Sequence, residues 1–176
     1  MQSSAKIMIL IIAATILSCG IFILNSKSPK TTIKKQELIN FGISIDEVES
    51  VARQGIKAKL FIKNIYNERI RFQVPDCLRI ASPAARYNNG YPVWERSTIK
   101  ETCEPEWKEL EPGNELVVEF PYNLFQIYRL ELGNEFTVQF SYYGEIRDSQ
   151  SKFLSGEDDI IKSNEIKIKM IEGNYR

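Results

Sequence analysis

The chain contains no histidine. That absence removes Ser-His-Asp and Cys-His nucleophile chemistry and the common histidine-bearing zinc sites. Carboxylate-pair hydrolysis, Ser-Lys chemistry and binding without catalysis stay open. Basic residues are not in excess either. The chain carries 23 Lys and Arg against 23 Asp and Glu. Five of the lysines and none of the acids fall in the first 35 residues, so the remainder holds 18 against 23 and a net charge of −5. An acidic remainder argues against a nucleic-acid partner, which needs a basic face. No internal repeat is present. No segment after residue 50 sustains a 3.6-residue apolar period, and the best helical candidate is a turn or two within residues 124–130.

What is present begins with an unbroken apolar run over residues 7–24, preceded by Lys6 and followed by Lys27, Lys30, Lys34 and Lys35. As a helix it would span about 27 Å at about 1.5 Å per residue, close to the thickness of a bilayer's hydrocarbon core. It has no polar stripe of the kind a buried core helix shows. Three readings stand. Ile16-Leu17-Ser18-Cys19 resembles a bacterial lipobox, which would make residues 1–24 a lipoprotein signal with Cys19 as the lipidated residue. A diacylated cysteine supplies the two chains that stable attachment needs. Ile21, Phe22, Ile23 and Leu24 prolong the apolar run past Cys19 and fit an uncleaved anchor. The four following lysines fit the same anchor inverted, by the positive-inside rule.

Cys77 and Cys103 remain as a pair. In an exported domain two cysteines read as one disulfide, with two free thiols in a cytoplasmic domain as the other reading. Closing a loop of about 27 residues contributes roughly 3 kcal/mol in the chain-entropy model. The pair tips the reading toward an extracytoplasmic domain in the cell envelope.

From residue 41 the dominant period is two. Phe41, Ile43 and Ile45 alternate with polar or small residues, as do Ile56, Ala58, Leu60 and Ile62, then Ile70, Phe72 and Val74. The pattern returns at Leu116, Val118 and Phe120, at Phe136, Val138, Phe140 and Tyr142, and at Ile166, Ile168 and Met170. Each run gives one buried and one solvated face, as in antiparallel sheets. Asn88-Asn89-Gly90, Glu111-Pro112-Gly113-Asn114 and Gly133-Asn134 are turn-forming. Pro75 and Pro121 close strands. Weaker strands are expected near residues 78–81 and 93–99, and residues 149–159 read as a long mobile polar loop. The expected fold is all-β: an immunoglobulin-like antiparallel β-sandwich of about seven strands over residues 41–176, joined by a tether of residues 25–40 to the membrane or signal segment. A small barrel is the alternative.

The order Lys59-Leu60-Phe61-Ile62-Lys63-Asn64, Leu110-Glu111-Pro112-Gly113-Asn114-Glu115-Leu116, Gly133 to Phe140 and Ser163-Asn164-Glu165-Ile166 resembles immunoglobulin-like domains of bacterial envelope lipoproteins. It is also similar to intracellular proteinase-inhibitor-like domains, from which the anchor and the cysteine pair depart. The resemblance covers about two-thirds of the chain and implies a non-catalytic binding or inhibitory module.

Residues 77–107 are the least regular and hold Arg86, Tyr87, Tyr91, Trp94 and Trp107, including both tryptophans. These residue types dominate protein-binding hot spots, so the five are the candidate partner-binding set; the alternative for each tryptophan is core filling. Glu101, Glu104, Glu106, Glu109 and Glu111 would supply a glycosidase pair or simply a solvated edge. Glu157-Asp158-Asp159 lacks the alternating pattern of an EF-hand. Lys57, Lys59, Lys63, Lys167 and Lys169 read as outward-facing. The expectation is a membrane-tethered module that binds a protein partner, as an inhibitor or immunity-like protein, with no catalytic residue, metal or cofactor assigned. A glycan-acting enzyme and a structural envelope subunit are the alternatives.

Overall fold

Twelve strands and two single-turn helices make up residues 32–45, 49–51, 56–95 and 103–171, which the computed structural model describes. The segment 7–24, Cys19 and Glu101 lie outside these residues. Among the described residues no helix is long and apolar enough to cross a membrane. The folded unit starts at Thr32. Residues 32–40, expected in the tether, are therefore built into the domain: helix α1 (Lys35–Leu38) runs directly into β1 (Ile39–Ser44), and the Ile33 N–H reaches Leu154 O at 3.2 Å.

Among the described residues strand far outweighs helix, and all but one of the strand pairings are antiparallel. β1 pairs with β3 (Lys59–Asn64), which pairs with β7 (Glu115–Glu119). A second sheet runs β10 (Phe153–Ser155), β9 (Ile146–Asp148), β4 (Ile70–Gln73), β6 (Trp107–Leu110). The third centres on β8 (Glu135–Tyr142). One edge of β8 takes β5 (Ala81–Tyr87) along its whole length; the other takes β11 (Ile161–Lys162) and then β12 (Ile166–Ile171). β2 (Glu49–Val51) joins β12 in parallel. Helix α2 (Leu124–Ile127) is capped by Asn123, which accepts the Phe125 N–H, while Gln126 accepts the Asn123 N–H.

Each of the six apolar alternations overlaps a strand, and most of their large members enter the core: Phe41, Leu60, Ile62, Ile70, Phe72, Phe136, Val138 and Phe140 are buried. Rings interlock there, with Phe120 edge-on to Phe140 at 4.9 Å and Phe41 tilted on Tyr142 at 5.4 Å. Tyr142 ties two sheets: its ring is fully buried and its hydroxyl donates to Gln73 O at 2.6 Å. Burial holds its pKa well above the usual phenol value. Asn64 is buried with its amide spent, donating to Glu68 O and Leu110 O and accepting the Tyr66 N–H. On the outer face of the first sheet Phe61 lies over Gly42, where a Cβ would fall 2.0 Å from the ring.

Two expectations change. The domain has twelve short strands, where about seven were expected, because β2, β5, β6, β9, β10 and β11 are too short or too poor in large apolar residues to show a period of two. Residues 149–159 are not a bare polar loop: Phe153–Ser155 is strand β10, with Leu154 and Ser155 buried.

Candidate functional site

β5 carries almost no bulk. Ala81, Pro83 and Ala85 face the core and Ala84 and Arg86 face out. Its edge away from β8 would be open to other strands, but most groups along it are occupied. The Ala81 N–H reaches Cys77 O, and Pro83 has no N–H to offer. Pro83 O accepts the buried Tyr128 hydroxyl at 2.6 Å, and the Ala85 N–H bonds the same hydroxyl oxygen. Ala85 O accepts the Val93 N–H at 2.9 Å, and the Tyr87 N–H reaches Tyr91 O at 2.9 Å. One tyrosine and the returning chain thus replace a neighbouring strand. Burial, with the nearby Glu95 charge second, pushes the Tyr128 phenol up to about 12.

The return begins at Asn88-Asn89-Gly90. Gly90 sits at φ +84, the left-handed region open to glycine. Its N–H bonds Tyr87 O, and Asn89 Oδ1 accepts the Tyr91 N–H at 3.1 Å. Asn88 is held by Glu135 at 3.0 Å. Residues 91–95 then form an extended strap: Pro92 bridges Arg86, Glu95 bridges Tyr128, and Trp94 O accepts the Arg129 N–H at 2.8 Å. Val93 plugs into the core. An extended chain that buries Val93 must turn Trp94 the other way. Trp94 is 78 % exposed and Tyr91 70 % exposed, although the backbone of both is pinned.

Two hollows adjoin the turn. Tyr87, Asn89, Tyr91, Pro92, Val93, Trp94 and Glu95 line one of about 670 Å3. Glu131, Asn134 and Glu135 join Tyr87, Asn88, Asn89 and Trp94 around one of about 540 Å3. Both have aromatic walls and carboxylates, and neither is lined by a Lys or Arg.

The structure brings Arg86, Tyr87, Tyr91 and Trp94 to this end of the third sheet. Trp107 lies elsewhere, half-buried on β6, with the guanidinium groups of Arg147 and Arg71 at 4.7 and 5.4 Å from its ring. It neither fills the core nor joins the other four. Cys77 and Cys103 form a disulfide with Cα atoms 6.3 Å apart, bracketing β5 and the strap. Asp76 lies beside the two sulfurs; both are spent in the S–S bond, so this cluster has no thiolate to give a metal.

The glutamates of 104–111 are exposed, and Glu106, Glu109 and Glu111 are engaged in ion pairs beside the β4–β6 pair. Arg69 binds Glu109 at 3.6 Å and also Glu111, and Lys108 binds Glu106 at 3.3 Å. Glu157 pairs with Arg79 at 3.3 Å. Asp159 accepts the Lys35 backbone N–H and the Ser155 hydroxyl, and so fixes the β10–β11 connection. Lys57 pairs with Glu119 at 2.7 Å, and Lys59 and Lys63 stand opposite Glu119 and Glu115.

Two residues escaped sequence reasoning. Tyr128 gives no local signal beyond a proline in a facing strand. Lys35 was grouped with the flanking lysines, yet it is fully buried: its ammonium donates to Gly156 O at 2.9 Å and lies 5.2 Å from the Tyr142 ring centre. Burial lowers its pKa to about 8, against the opposing pull of Asp159, Glu157 and Glu145.

Fold and site together define an all-β domain whose most exposed aromatics sit on a hydrogen-bonded strap. No protein-family model matches the chain, and no curated protein matches it.

Proposed function

We propose that this protein is a membrane-tethered binding module of immunoglobulin-like β-sandwich type, working outside the cytoplasm on a protein partner in an inhibitor or immunity-like role. The observation that carries the reading is the pairing of high exposure with a fixed backbone at Tyr91 and Trp94. Large aromatics held ready in solvent bind without the ordering cost of a loose loop, and they are the residue types that carry interface energy. Tyr87 and Arg86 flank them on β5.

The Cys77–Cys103 disulfide supports an oxidising compartment. The apolar run 7–24 supports the anchor, and the lipobox-like Ile16 to Cys19 supports lipidation at Cys19. The likeness to immunoglobulin-like domains of envelope lipoproteins supports the sandwich and the non-catalytic role. The carboxylate-enzyme reading has no comparable support, since the glutamates of 104–111 lie on an exposed strand edge and several are spent in ion pairs.

The test uses the full chain in its native membrane with a photoreactive amino acid at position 94. A discrete protein adduct that disappears with Tyr91→Ala supports the reading; no adduct, or only lipid adducts, removes it. Intact mass of the same preparation reads cleavage before Cys19 and added acyl chains.

A further inference from the structure

On the outer face of the third sheet lies a further hollow, of about 410 Å3, on the far side of Tyr87 and Asn88 from the aromatic strap. Short side chains line its floor, among them Ala84 on β5 and Thr137 and Ser141 on β8; Arg86, Lys162 and Lys167 stand around it, with Gln139 and Glu165 beside them. The register explains the convergence. Arg86 and Lys167 both stand opposite Thr137, one on each side, and Lys162 stands opposite Ser141. Adjacent strands lie about 4.8 Å apart, so Arg86 and Lys167 flank a hydroxyl from either side.

β11 and β12 meet β8 out of step by one residue, and the corner is held from inside. Ser163 exchanges bonds with Phe140 through its N–H and its hydroxyl, and Gln139 donates to Ser163 O at 2.9 Å. This bulge brings Lys162 and Lys167, five residues apart, onto the same face.

Several cations elsewhere in the domain are neutralised by a carboxylate and others stand singly; here three stand together. Lys57, Arg69, Arg79, Lys108 and Arg147 each pair with a carboxylate. Among the described residues Arg86, Lys162 and Lys167 have no ion pair, although Glu165 also lines the hollow. With Glu165 as the one carboxylate beside them, the three cations leave the hollow net positive, and an anion joining them relieves their repulsion.

We propose that this hollow binds the phosphate group of a small soluble phosphomonoester. Arg86 and Lys167 bracket the oxyanion, Lys162 supplies the third charge, and the Thr137 and Ser141 hydroxyls donate to its oxygens. The volume exceeds that of phosphate alone, so the organic body sits toward Tyr87 and Asn88. This hollow shares Arg86 and Tyr87 with the proposed partner surface, and it stands whether or not a protein binds there.

The test is 31P line broadening of glycerol 3-phosphate by the full chain in a nonionic detergent at fixed ionic strength. Saturable broadening is expected, displaced by inorganic phosphate and not by glycerol. Lys162→Gln and Lys167→Gln, neither of which lines the aromatic hollows, should each weaken it about fivefold and together at least twentyfold. Thr137→Asp should abolish it while the far-ultraviolet spectrum stays unchanged. No broadening, broadening that phosphate fails to displace, or equal broadening by the wild-type chain and the Lys162/Lys167 double variant would overturn the proposal.

Discussion

The two tryptophans began with the same standing in the sequence and end in opposite situations. Trp94 stands in solvent on a strap whose backbone is bonded on both sides. Trp107 lies half-covered between two arginines on a four-stranded sheet. The difference comes from the neighbours. Val93 buries itself and forces Trp94 outward, whereas β4 and β9 present Arg71 and Arg147 to Trp107 from across the sheet. An exposed indole with a fixed backbone is available to a partner; an indole already covered by guanidinium groups contributes its face to the fold.

The largest effect on this contrast should come from the disulfide, which brackets the strap. Cys77→Ala with Cys103→Ala is expected to cost roughly 3 kcal/mol in chemical denaturation. Hydrogen exchange should rise more over residues 81–95 than over 107–110. Equal loosening of the two regions would break the comparison.

Tyr128→Phe comes next. It leaves Pro83 O and the Ala85 N–H without their shared hydroxyl, and should cost about 2 kcal/mol in the same denaturation experiment. The strap should then exchange faster, while the surroundings of Trp107 stay as they were.

The same contrast runs through the cations. Lys35 is buried, whereas Lys162 and Lys167 stand exposed. The Lys35 pKa is about 8 in the fold and about 10.5 in the unfolded chain. Between those values the unfolded state holds more protons, so stability should rise with pH, by at most about 1.4 kcal/mol per unit. The rise should stop near pH 10, where the unfolded chain's tyrosines ionise while Tyr128 and Tyr142 hold their protons. Denaturation midpoints at pH 7.5 and 9.5 test this. Lys35→Met should flatten the profile.

The smallest effect belongs to Trp107→Ala. Two cation–ring contacts at a half-exposed site are worth about 1 kcal/mol. Its thermal midpoint should fall by a few degrees, and partner binding should not change.

Legibility followed side-chain size. Phe136, Val138, Phe140 and Tyr142 announce β8 because large apolar residues at every second position admit one arrangement. β5 was hidden because Ala81, Pro83 and Ala85 bury little area, and a proline argues against a strand until its missing N–H is found on a sealed edge. Tyr87 and Tyr91 were readable as one group because a glycine turn joins them. The separation of Trp94 from Trp107 was not, since it depends on which strands lie opposite. Lys35 was misplaced for the same reason. Nothing within four residues shows that Gly156 and Tyr142 close over it.

The most direct test is partner affinity measured side by side for Trp94→Ala and Trp107→Ala in the full chain, using the protein captured from position 94. The account predicts at least a thirtyfold loss for Trp94→Ala with an unchanged thermal midpoint, and wild-type affinity for Trp107→Ala. Equal losses, or a loss confined to Trp107→Ala, would contradict it.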